Sequence, residues 1–147
     1  MEQVNKMKVT AIVERGKGKG NFSCFVVETI NGCGLGGFGR TAREAMEDIK
    51  VCLDEYKKMA SERGETFPDI EFDYRFDIGS FFDYYPIDVT AFAKYIGMNA
   101  SVLRQYVTSL REPKQQQIDK IRDGIDKISR DLGANLMLSR PVVSYVK

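Results

Sequence analysis

The chain has 147 residues, 43% of them hydrophobic, enough for one domain or two small ones. With 22 basic and 21 acidic residues its net charge is +1, so charge alone marks no partner, and no apolar run approaches the length that spans a bilayer. The polar start at residues 1–8 lacks a signal-peptide core, which predicts a cytoplasmic protein. Histidine is absent, and with it the commonest general base and metal ligand; no catalysis, metal or cofactor is expected. Cys24, Cys33 and Cys52 are odd in number and lack C-x-x-C spacing, which predicts reduced, packed thiols.

In chain order, residues 8–14 alternate, with Val9, Ala11 and Val13 on one side, and 22–29 is a second β-rich run. Between them Gly16, Lys17, Gly18, Lys19 and Gly20 form a hairpin loop. A third short strand is expected within 32–38. Thr41 and Glu44 then make a capping box, each serving the other's free backbone donor. The helix it opens carries Ala42, Ala45, Met46, Ile49, Cys52, Leu53, Tyr56 and Met59 on one stripe and runs to about Ser61. A polar loop with Gly64 and Pro68 leads to the strand 70–78, apolar at every second position. Residues 81–86 are an aromatic joint.

Residues 88–110 are the most informative stretch. Asp88 can cap a helix whose apolar face is Phe92, Ala93 and Ile96. Gly97 supplies the left-handed residue of a sharp turn, and Asn99 can cap a second helix with Val102, Leu103 and Tyr106 inward. This pattern predicts a helix-turn-helix, whose second helix enters the DNA major groove. Asn99, Ala100, Ser101, Arg104 and Gln105 lie off the apolar face. Arg and Gln suit guanine and adenine edges, while Asn99 and Ser101 can reach phosphates or bases. Thr108 and Lys114 complete the expected DNA-contacting set, with Lys94 and Arg111 as further flanking charges. A helix over 116–132, with Ile118, Ile121, Ile125 and Ile128 inward, is closed by Gly133. Residues 141–147 read as a short strand needing a sheet edge, its own or a partner's.

Two other sites compete. Gly32, Gly34 and Gly37 satisfy G-x-G-x-x-G between strand and helix, but the helix is capped only at Thr41, too late to hold a pyrophosphate. Glu14, Glu28, Asp73 and Asp77 could suggest a metal-dependent nuclease, with Asp73 and Asp77 on one strand face, but alternating charge on a solvated face is the ordinary explanation. Charge favours the helical half as a DNA binder. Residues 1–82 hold 12 basic against 14 acidic side chains, and 83–147 hold 10 against 7.

The glycine-rich strand followed by Gly39, Arg40, Thr41, Ala42, Arg43, Glu44 and Ala45 resembles the HicB antitoxin family. The strand Tyr74 to Asp77, the joint Ser80 to Pro86 and the helix-turn-helix resemble its longer members, which carry a C-terminal DNA-binding domain. The resemblance spans about Val9 to Leu132. It implies a partial ribonuclease-H-like fold without catalysis, blocking a small HicA-like toxin that cleaves messenger RNA, while the C-terminal domain represses the operon. The expectation is therefore an α+β protein: a small antiparallel sheet with one long helix in 1–82, an all-α helix-turn-helix domain in 83–138, and a strand or tail in 139–147. Its partners would be a pseudo-palindromic DNA operator, a small toxin and a second copy of itself. The alternative is a stand-alone transcription regulator whose N-terminal domain binds a ligand or another protein.

Overall fold

Alternation of apolar residues builds the sheet. In the computed structural model, which describes residues 6–17 and 21–142, β1 (Met7–Arg15) buries Val9, Ala11 and Val13 on one face. β2 (Phe22–Val26) pairs antiparallel with it and buries Phe22, Cys24 and Val26 on the same face. β3 (Gly36–Gly39) pairs antiparallel with β2, and α1 (Ala42–Glu62) follows. β4 (Ile70–Phe76) then runs parallel to β1, in register from Met7 against Ile70 to Val13 against Phe76. The sheet order is β3-β2-β1-β4 and the sheet is mixed, which corrects the antiparallel expectation. The reason is direction: α1 carries the chain back along the sheet, so β4 starts at the end where β1 starts.

Ala42, Ala45, Met46, Ile49 and Leu53 of α1 are buried against the sheet. The helix lies so close to β3 that a Cβ on Gly37 would collide with the backbone of Ala45 and Ile49, and one on Gly39 with that of Ala45. These glycines serve packing. The N-terminal cap is half as expected. Thr41 Oγ1 accepts from the Glu44 N–H at 3.1 Å, but the Glu44 carboxylate accepts from Arg40 N–H at 2.7 Å. Asp83 supplies a further acceptor, for Ala42 N–H at 2.8 Å.

β4 stops at Phe76 because Asp77 caps a helix instead of extending the strand. Its Oδ1 accepts from Ser80 N–H at 2.8 Å, and the expected aromatic joint is largely α2 (Ile78–Tyr84). Position 82/83 thus falls inside a helix. Phe82 belongs to a second apolar core, whereas Tyr84 packs on the first and Arg43 stacks over its ring.

That second core gathers Phe82, Phe92, Ala93, Met98, Leu103, Tyr106, Val107 and Ile121 from α2, α3 (Val89–Ile96), α4 (Ala100–Val107), α5 (Gln115–Asn135) and the turn before α4. α5 continues through Gly133, where a helical backbone meets no obstacle, so that glycine does not close it. Pro141 and Val142 form no strand, and the rest of the expected terminal strand lies outside the described residues. Among the described residues no helix is long and apolar enough to cross a membrane.

Candidate nucleic-acid interface

The geometry of residues 88–108 follows from its caps. Asp88 Oδ2 accepts from Ala91 N–H at 2.9 Å and starts α3. Gly97 adopts φ 72° and ψ 34°, a conformation open to glycine, and Met98 N–H donates back to Ala93 O at 2.8 Å. Asn99 is extended and its Oδ1 accepts from Ser101 and Val102 N–H, at 2.8 and 3.3 Å, so α4 starts two residues after the turn. Ala93 is fully buried where α3 meets α4, and Leu103, Tyr106 and Val107 hold α4 from beneath.

On the opposite side, helical spacing aligns Ser101, Arg104, Gln105 and Thr108. Asn99, Ser101 and Arg104 are exposed, while Ala100, Gln105 and Thr108 are half-buried. Ala100 packs on the helical core. The Arg104 guanidinium donates to Thr90 Oγ1 in the first turn of α3. The Thr108 hydroxyl donates to Arg104 O at 2.8 Å, so its donor serves its own helix. The Gln105 carbonyl accepts from Leu110 and Arg111 N–H, at 3.0 and 3.2 Å, closing the end of α4. Lys114 is exposed at the N-cap of α5 and makes no side-chain capping bond. Among the described residues, Lys94, Arg104, Arg111 and Lys114 form no ion pair. Asn99, Ser101 and Arg104 are thus the exposed polar groups of α4 and its cap, with the Arg104 fork resting on Thr90.

Two residues escaped sequence reasoning. Thr90 holds Arg104, and Lys120 Nζ donates to Gly97 O at 3.1 Å, tying α5 to the turn. A polar residue in a first turn and a lysine on a solvated helix face carry no signal for long-range partners.

The other two candidate sites lose their geometry. Asp77 leaves the strand and spends its carboxylate on Arg15 N–H and Ser80 N–H, so it does not share a strand face with Asp73. Asp73 pairs with Arg75 at 3.0 Å. Among the described residues no group of three or more His, Cys, Asp or Glu is placed to hold a metal ion. Leu35 and Gly37 of the glycine-rich segment are buried, consistent with its packing role.

No family model, curated protein or solved structure matches the chain.

Proposed function

We propose that α3, its turn and α4 form a helix-turn-helix that reads DNA, within a dimeric HicB-type antitoxin that represses its own operon and blocks a HicA-like toxin. The single observation that carries the DNA reading is α4 itself. One side, Leu103, Tyr106 and Val107, is committed to the core, and the other presents Asn99, Ser101 and Arg104 to solvent. The sheet half is the partner-binding half in this reading.

Selection of binding sites by the full chain from random duplexes is the test. A recovered two-fold motif with half-sites one helical turn apart supports the reading, and sequence-independent recovery overturns it. For the toxin, co-expression with a small basic protein encoded beside the gene should relieve growth arrest if the antitoxin reading holds. Relief that fails while the DNA motif persists leaves the stand-alone regulator. That second reading has one observation in its favour: a cleft of about 520 Å³ between the sheet end and the helical half, lined by Arg15, Lys17, Phe76, Tyr106 and Arg111 among others.

A further inference from the structure

β4 stands at an edge of the sheet, paired with β1 on one side. Asp69 O accepts from Met7 N–H and Asp77 N–H donates to Val13 O, so the odd-numbered residues of this segment turn their peptide groups toward β1. In a parallel ladder the intervening residues face the other way. Ile70, Phe72, Tyr74 and Phe76 therefore offer N–H and C=O groups outward, and no described strand takes them. Such an edge invites another strand.

We propose that β4 pairs antiparallel with β4 of a second copy, about a two-fold axis through Asp73, joining two four-stranded sheets into one. This deepens the dimeric reading above and rests on it only for the need of two copies. The residues choose both occupant and register. With the axis at Asp73, Phe72 meets Tyr74 of the partner and Ile70 meets Phe76, so apolar faces apolar. The outward peptide groups of all four residues find donors and acceptors together. On the other face Glu71 lies against the partner's Arg75, twice by symmetry, at the close non-hydrogen-bonded positions. The central Asp73 pair is unfavourable, and each of those carboxylates is held by its own Arg75 at 3.0 Å. Moving the axis to Phe72 would set Phe76 against Pro68, which has no N–H. Moving it to Tyr74 would set Ile70 against Ile78, which is already in α2.

The packing face agrees. α1 leaves β4 incompletely covered, with a hollow of about 380 Å³ lined by Lys50, Leu53, Asp54, Ile70, Phe72 and Tyr74. The two-fold brings a second such shelf alongside, and Lys50 and Asp54, one turn apart on its rim, are complementary to their own copies in reverse order.

Sedimentation equilibrium on the full chain tests this. The native protein should be a dimer at micromolar concentration. Arg75→Glu places like charges opposite Glu71 at two positions and should weaken self-association about tenfold. Glu71→Arg combined with Arg75→Glu exchanges the charges and should restore it, which a merely misfolded variant would not do. A native monomer, an unchanged Arg75→Glu dimer, or a double exchange that stays monomeric each overturns the interface. Arg104→Ala should leave the mass unchanged, so loss of DNA reading and loss of this interface are separate results.

Discussion

At the scale of single residues, Arg104 is where the proposed DNA reading is tested, because substituting it separates base reading from mere contact with DNA. Its guanidinium is exposed and rests on Thr90 Oγ1. Arg104→Ala should cost about 1–3 kcal/mol per half-site on a selected duplex and much less on random DNA. Thr90→Val removes the resting partner and should cost a smaller amount, about 0.5–1.5 kcal/mol, if that hydrogen bond pre-organises the fork. Lys114→Ala should weaken binding to both duplexes alike and flatten the salt dependence by about one unit if it neutralises one phosphate. Filter binding on both duplexes at several salt concentrations checks all three. Equal losses on both duplexes for Arg104→Ala would remove its base-reading role. Burial sets a different residue-scale expectation. The Cys24 thiol is fully buried and pushed up to about 12, while Cys33 and Cys52 are partly exposed. Thiol titration of the native protein at pH 8 should therefore give two fast groups and one released only on unfolding. Tyr74, its hydroxyl buried without a partner, is likewise pushed up to about 12 by desolvation. Both raised groups keep in the fold a proton that the unfolded chain gives up earlier. Stability is thus fully present below about pH 9 and is lost as pH rises toward 12.

At the scale of elements, two glycines in one helix should respond in opposite directions. Gly124 is buried where α5 crosses α3, and a Cβ there would collide with Ile96 and touch the Phe92 ring. Gly133 lies in the same helix with open space around it. Gly133→Ala should stabilise by about 0.5–1 kcal/mol through helix propensity. Gly124→Ala gains the same propensity but overpacks the crossing by about 1–3 kcal/mol, and should be destabilising in urea titration. In the sequence Gly124 reads as a helix-interior glycine and Gly133 as a helix stop; the structure puts both inside α5. The same limit explains what else was legible. Stripes of period 3.6 made α1, α3, α4 and α5 readable, and Gly97 with Asn99 marked the turn and the start of α4 closely. α2 was hidden because seven residues dominated by adjacent aromatics fit neither period, and its cap, Asp77, also continues the alternation of β4. The direction of β4 depends on where α1 returns the chain, which no local pattern states. At the candidate interface the exposed or half-buried placement of Asn99, Ser101, Arg104 and Gln105 followed from periodicity. The attachment of Arg104 to Thr90 and of the Thr108 hydroxyl to the backbone depends on rotamers.

At the scale of the whole molecule, a polar joint between β1, α2 and α4 ties the two apolar cores together, beside the contact of Asp83 in α2 with the Ala42 N–H of α1. Ser80, fully buried, donates from Oγ to Val13 O at 2.7 Å and also lies 2.7 Å from Asp77 Oδ1. Asp77 Oδ2 accepts from Arg15 N–H at 3.1 Å. From the other side, the Arg15 guanidinium donates to Val107 O and Ser109 Oγ donates to Arg15 O, both at 3.4 Å. A Cβ on Gly79 would collide with Val107 O and the Arg15 side chain, so the backbones approach too closely for any larger residue. The far end of α4 is therefore fixed to the end of β1 rather than linked to it through a loop. Asp77→Ala removes the α2 cap, costing about 0.5–2 kcal/mol, and leaves the part-buried N–H groups of Ser80 and Arg15 without that acceptor. Native-state hydrogen exchange reads the consequence. In the native protein the amides of Val13 and Leu103, one in each core, should open with similar free energies, as expected of one cooperative unit. In Asp77→Ala the two should diverge, with the smaller helical core opening first. If both amides fell together by the same amount, the joint would only add stability; if neither moved, the two cores would be held together elsewhere.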